Sequence, residues 1–473
     1  MSDGRPPGLL EAAALLRSRQ ISAVELLAQT NAAIEAKNGG PPSFDGSPQA
    51  VNAWVALYPE LAERQARAAD ERFARDGEAV PLVCGIPLGL KDLYAVKGLP
   101  LTASSRVLDG NTADADCEVW QRLDRQGMVL VGHTHTHEFA AGGTTDQVGN
   151  PHDLTRSPGG SSGGSGAALA AGMVPAALGT DTAGSLRIPA ALCGISTIKA
   201  THGRVPIDGV IPLAASLDHA GPMARSVADC AALLEAMALG GGQRTPLMPP
   251  PQPVAALPTR PRAAPRPLAG VRVALTDRPA RAQIEPDVAD GYELARAALE
   301  RLGAETVELA APAVGAWAEF TVILLSEAAA YHARHAERAH LYRTSIREFI
   351  EAGASFSDST VYIEAQRTRA ATSAAWEDWF AENAIDAVLE PTVPLTAQTR
   401  GEGYDSGRLG GEVDPLIALT ATWNMTGFPV VALPAGAGAR SGLPVGVSLI
   451  APRGREAGLV QVAIDLQEHE LGA

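Results

Sequence analysis

Apolar positions recur every three or four residues in the first part of the chain. Leu9, Leu10, Ala13 and Leu16 share a helical spacing and ISAVELLAQTNAAIEA (21–36) repeats it, so two helices are predicted within 8–37. Ser22 stands three residues before Glu25, the pattern of a capping box at a helix start. Residues 61–76 resume the helical period. From residue 80 the pattern changes to short, unbroken apolar runs. VCGIPLGLKDL (83–93) and MVLVGHTHTHEF (128–139) read as buried strands, and SGAALAAGMVPAALGTD (165–181) as a small-residue helix running into a strand. Further on, GVRVAL and ETVEL predict strands around a helix at 287–302, and 316–384 is largely helical. IDAVLEPTVP, FPVVALPAG and LPVGVSLIA predict three last strands. Strands alternating with helices imply an α/β protein with a mostly parallel sheet covered on both faces. No internal repeat is visible.

Glycine and proline punctuate this pattern. GGPPSFDGSPQ (39–49) is a loop, and the proline-rich stretch at 240–267 excludes regular structure. The α/β pattern lies on both sides of it. One domain over 1–473 is therefore expected, with N-terminal helices to 76, a core at 77–238, a surface linker at 239–268 and the remainder of the sheet at 269–473. The 473 residues are 46% hydrophobic and 19% charged, enough to bury a sizeable core. A net charge of −15 argues against nucleic acid or an anionic membrane as partner. Cys84, Cys117, Cys193 and Cys230 are too dispersed for a disulfide framework or a structural zinc site. Neither a secretory signal nor a membrane-spanning apolar run is seen, and a cytoplasmic location is expected.

The densest chemical signal is SPGGSSGGSG (157–166), which runs directly into an apolar helix. Glycines opening a helix suit close approach of backbone to a ligand. A phosphate loop would need a lysine after the glycines, and none follows. Gly160 to Gly164 fits the hydrolase pattern GxSxG with Ser162 as nucleophile, but the histidine expected late in the chain is missing, His340 being the last before the C-terminal tail. GTDTAGSLRIPAALCG (179–194) offers a second glycine-flanked serine, Ser185, and GIPLGLKDL sets Lys91 within an apolar strand.

These three segments, in this order, resemble the amidase signature hydrolases. The likeness continues through HGRVPIDGVIPLAASLDHAGPMARSVADCA, NMTGFPVVALPAG and GLPVGVSLIA, and weakens at 240–267 and 316–384. It implies a large twisted mixed sheet covered by helices. Carried over residue by residue, it makes Ser185 the nucleophile, Ser161 a bridging serine on a cis peptide and Lys91 the general base. The backbone amides of Thr182, Ala183, Gly184 and Ser185 match the oxyanion hole; Ser162 supports the bridge, and Asp181 with Arg187 brace the nucleophile loop. Ala183 departs from the glycine common in the family, which trims the pocket but keeps the N–H. General chemistry agrees: a serine hydroxyl needs a base, and an apolar strand favours a lysine's neutral form.

Other positions are less defined. His133, His135 and His137 alternate, so on a strand they share a face, as metal ligands, as pocket-lining or hydrogen-bonded histidines, or as simple structural filling. FAAGGTTDQVGNPHD (139–153) reads as the cavity mouth, and His137, Phe139, Thr144, Gln147 and Trp423 are candidate pocket residues. His202 and His219 match no catalytic position. The reading expected is a serine hydrolase of linear aryl or alkyl amides, with esters and, as in urethanase-like relatives, carbamates also cleaved. The alternative is the glutaminase component of a tRNA-dependent amidotransferase. No metal or cofactor is expected, and the partners expected are a small-molecule amide or carbamate alone, without nucleic acid or membrane, the chain acting as a monomer or homodimer.

Overall fold

The computed structural model describes residues 5–238, 257–314, 317–356, 358–401 and 414–472. Residues 239–256 of the proline-rich stretch lie outside them, as do 316 and 357 of the helical stretch. Among the described residues the strands are β1 (Trp54–Leu57), β2 (Pro87–Lys91), β3 (Val129–Thr134), β4 (Ala176–Asp181), β5 (Ser196–Lys199) and β6 (His219–Ala224). After the proline-rich stretch come β7 (Arg272–Thr276), β8 (Glu305–Leu309), β9 (Ala387–Pro391), β10 (Val430–Ala437) and β11 (Pro444–Ile450). All eleven join one sheet in the order β1-β3-β2-β4-β6-β5-β10-β11-β9-β7-β8, with helices on both faces. Strands from before and after residues 239–268 meet at the β5–β10 pair, where Val430 lies opposite Lys199.

The sheet is mixed, which corrects the mostly parallel expectation. Only β2–β3, β2–β4, β7–β8 and β7–β9 run parallel; the other six pairs are antiparallel. Every antiparallel pair involves β1, β5, β6, β10 or β11, and two of them, β5–β6 and β10–β11, join strands consecutive in the chain without a long helical crossover between them. The core strands β2, β3, β4, β6 and β11 are buried along their whole length, matching their unbroken apolar runs. The helix Ala23–Lys37 begins at the expected capping box, Ser22 Oγ accepting from Glu25 N and Glu25 Oε2 from Ser22 N.

Glycine contacts bring the site's loop against the sheet. The short helix Gly163–Ala170 follows the serine run. A Cβ on Gly164 would lie 2.5 Å from His135 N and 2.6 Å from Ala53 O, so only glycine lets this helix start so close to the backbone beyond β3. None of the described helices is long and apolar enough to cross a membrane.

Candidate active site

Lys91 ends β2 and is fully buried. Its Nζ lies 2.7 Å from Ser161 Oγ, 3.0 Å from Ser162 Oγ and 2.8 Å from Thr180 Oγ1. The Gly160–Ser161 peptide is cis. Burial pushes the amine well below an ordinary lysine, against the opposing pull of the Asp181 and Asp218 carboxylates. Ser162 therefore touches the amine itself rather than merely backing its neighbour. Ser162 Oγ also donates to Thr180 O at 3.1 Å, so its lone pair is what faces Lys91.

Ser185 sits on the loop after β4 and is buried. Ser162 N donates to Ser185 O at 3.3 Å, which ties this loop to the serine run. The Arg187 guanidinium makes a bidentate pair with Asp181 at 2.9 Å on both oxygens, both side chains being fully buried. Asn424 donates to Asp181 Oδ1 at 2.8 Å and accepts from Arg187 Nη2 at 2.6 Å, and Asp181 Oδ2 accepts from Leu186 N. Burial would raise the Asp181 carboxyl, but Arg187, Lys199 and Asn424 outweigh it and hold it down to about 2. Along the same loop Thr182 Oγ1 donates to Asp218 Oδ1 at 2.5 Å, and Thr420 Oγ1 donates to Ala183 O. Gly184 has φ 143°, and a side chain there would run into Thr420.

The remaining candidates scatter. β3 stops at Thr134, so His135 and His137 are off the strand and do not share a face with His133. His133 accepts from Tyr58 Oη at Nδ1 (2.7 Å) and donates from Nε2 to Tyr94 O (3.0 Å). His135 donates from Nε2 to Ser43 O at 2.9 Å. His137 lies beside the serine run, its N–H donating to Ser161 O at 3.0 Å, and burial pushes its imidazole down to about 3. Phe139 is not a pocket residue: at φ 48° it is fully buried against His332 (4.6 Å between centroids) and Tyr342. Trp423 is likewise core, packed on Trp376 at 4.8 Å and donating to Glu390 Oε2 at 3.0 Å. Both large apolar rings satisfied core packing, which composition alone cannot separate from pocket lining. Thr144 places its backbone against Gly160, and Gln147 donates to Thr136 O at 2.8 Å.

Sequence reasoning passed over Thr180, Thr420, Asp218 and Lys199. Thr180 lies within β4 one residue before Asp181, and its meeting with Lys91 across 89 residues has no local signal in the sequence. Lys199 donates to Phe428 O at 2.6 Å and His219 Nε2 at 3.2 Å, beneath the Asp181 brace.

The amidase family model matches residues 44–460, and the chain belongs to this family. Over 96% of its length it is 35% identical to a glutamyl-tRNA(Gln) amidotransferase component, the A-type polypeptide of that enzyme from Ralstonia nicotianae, of which 96% is covered. A solved amidase superposes with a TM-score of 0.83 at 29% identity, covering 98% of this chain and 100% of that one. The corresponding A-type amidotransferase polypeptide from Thermotoga maritima gives 0.78 at 28% identity, covering 99% and 96%. These relatives overturn the expectation of a small-molecule partner alone, with no nucleic acid and no other protein chain. Net charge was the wrong guide: a value of −15 averages the whole surface and carries no information on contacts made through a neighbouring chain.

Proposed function

We propose that the chain hydrolyses a carboxamide through an acyl-enzyme on Ser185, with the side-chain amide of glutamine as substrate, and that it works as one component of an amidotransferase. Ser185 Oγ attacks the amide carbonyl while Ser161 takes its proton and passes its own to Lys91. The amine at 2.7 Å from Ser161 carries this reading. Neutral Lys91 has two N–H groups and one lone pair. Ser162 Oγ and Thr180 Oγ1 can accept the two N–H bonds, which leaves the lone pair for the Ser161 hydroxyl. The lysine then returns the proton through Ser161 to the leaving nitrogen, ammonia departs, and water repeats the cycle to release the acid. Asp181 and Asp218 temper the cost of a charged lysine in between. Backbone N–H groups of Thr182 to Ser185 would receive the oxyanion, each contributing about 3–4 kcal/mol. The relatives at 35% identity over nearly the whole chain support this choice of substrate and assembly.

A second reading, a stand-alone hydrolase of linear amides, is supported by the solved amidase at TM-score 0.83. One panel separates them: product release from glutamine, an anilide, an ester and a carbamate, for wild type and Ser185→Ala. Glutamine turnover is expected, with a loss of at least about a thousandfold in the variant. Turnover of the anilide with glutamine inert favours the second reading, and activity retained by Ser185→Ala overturns both.

A further inference from the structure

The N–H groups of Gly184 and Ser185 meet no protein acceptor among the described residues. Their loop is pinned on both sides. Thr182 Oγ1 is fixed on Asp218, and Gly184 O accepts from Ile188 N at 2.7 Å where the helix Arg187–Cys193 begins. Between these points lies the Ala183–Gly184 peptide. Its carbonyl accepts from Thr420 Oγ1 and, among the described residues, from no other donor. Glycine populates positive and negative φ about equally, so Gly184, at φ 143°, does little by itself to choose between the two orientations of this peptide. Thr420 packs directly on it, since a Cβ on Gly184 would lie 2.5 Å from Thr420 Oγ1.

Thr420 is itself held firmly. It is buried, its N–H donates to Ile417 O at 3.2 Å, and its carbonyl accepts from Arg187 Nη1 at 3.0 Å. Arg278 donates to Leu419 O at 3.2 Å and Thr422 Oγ1 at 3.0 Å while pairing with Glu390 at 2.7 Å, which ties the residues flanking Thr420 to β9. We infer that Thr420 is a positioning residue of the oxyanion site: by holding Ala183 O it aims the N–H of the same peptide, that of Gly184, at the oxyanion formed from the substrate carbonyl. The inference rests on the acyl-enzyme reading above and deepens it. In a trans peptide the C=O and N–H point in opposite directions, so an anchored carbonyl fixes the N–H. Turned over, the peptide would present the Ala183 carbonyl to the developing negative charge and exchange a donor for a repulsion. The carbonyl can only accept, so the hydroxyl donates, and a β-branched side chain has few χ1 states in which to lose its aim.

The test compares wild type, Thr420→Ala, Thr420→Ser and Ser185→Ala. Diisopropyl fluorophosphate is a probe independent of the amide: Ser185 Oγ bonds to phosphorus as fluoride leaves, the serine's proton passes through Ser161 to Lys91, and the phosphoryl oxygen takes the oxyanion's place. Thr420→Ala is expected to slow this labelling, read by intact mass, about a hundredfold, and to lower kcat on glutamine by a similar factor. KM should stay within about threefold and the acid limb set by Lys91 should not move, whereas Thr420→Ser should recover most of both rates. Thr420→Val keeps the shape and loses the donor, and replaces the alanine variant if that one does not fold. If wild type leaves glutamine unchanged, the labelling rates alone decide. A displaced acid limb, or KM rising as much as kcat falls, would mean that Thr420 merely holds the fold around the site, and would overturn the inference. Wild-type labelling by Thr420→Ala, with Ser185→Ala unlabelled, would overturn the Thr420 assignment alone. Labelling of Ser185→Ala at the wild-type rate would remove the acyl-enzyme reading and this inference together.

Discussion

Burial decides what Lys91 can do. A lysine in water is charged at neutral pH, whereas here desolvation favours the neutral amine that can accept a proton. In the proposed reaction kcat/KM for an uncharged amide should rise with pH along an acid limb well below the ordinary lysine range, then level off. Lys91→Arg, which stays charged, should remove both limb and activity. A profile that climbs only near pH 10 would show the amine to be unperturbed. The same shift links to stability: the folded state binds fewer protons than the unfolded one between the lowered value and 10.5, so stability rises with pH across that window. At this scale the sequence carried residue types, with Lys91 in an apolar run and serines among glycines. It did not carry Thr180 as the lysine's third hydroxyl, nor Phe139 as core.

At the scale of elements, two loops and the ends of two strands make the site. Pro87–Lys91 and Ala176–Asp181 are parallel neighbours, which puts Lys91 and the 182–185 loop at the same end of the sheet. The helix Gly163–Ala170 wedges between His135 and Pro189 through glycines. Gly164→Ala should therefore force apart the backbone at Ala53 and His135, costing about 1–3 kcal/mol and lowering the thermal midpoint, with activity falling through the displaced serine run. An unchanged midpoint would mean that the helix start relaxes freely. The helices Trp317–His332 and Ser359–Glu382 grip the loop before Asp218 through one serine: Ser216 donates to Glu327, and Arg369 donates to Ser216 Oγ at 3.0 Å and to its carbonyl at 2.6 Å. Helical periodicity predicted those helices, but not that they meet at Ser216.

At the scale of the molecule, a single eleven-stranded sheet carries strands from both sides of the proline-rich stretch. The four cysteines are all free and buried in the fold around it. A thiol reagent should react with none of them in the native protein and with all four after denaturation. Rapid labelling of the native state would reveal an opening of the core that the packing does not suggest. The partner expectation rested on total charge, which does not report on individual surface patches, and the relatives overturn it.

The sequence by itself determined the local elements, because periods of 2 and 3.6 are read within a few residues, and the candidate chemistry, because few residue types can act as base or nucleophile. Tertiary structure alone decided strand direction, the neighbours of each charge and the separation of pocket from core. Those depend on contacts between distant positions: Lys91 meets Ser161 across 70 residues and Arg187 meets Asn424 across 237. No local pattern encodes such a meeting; close packing of the whole chain does.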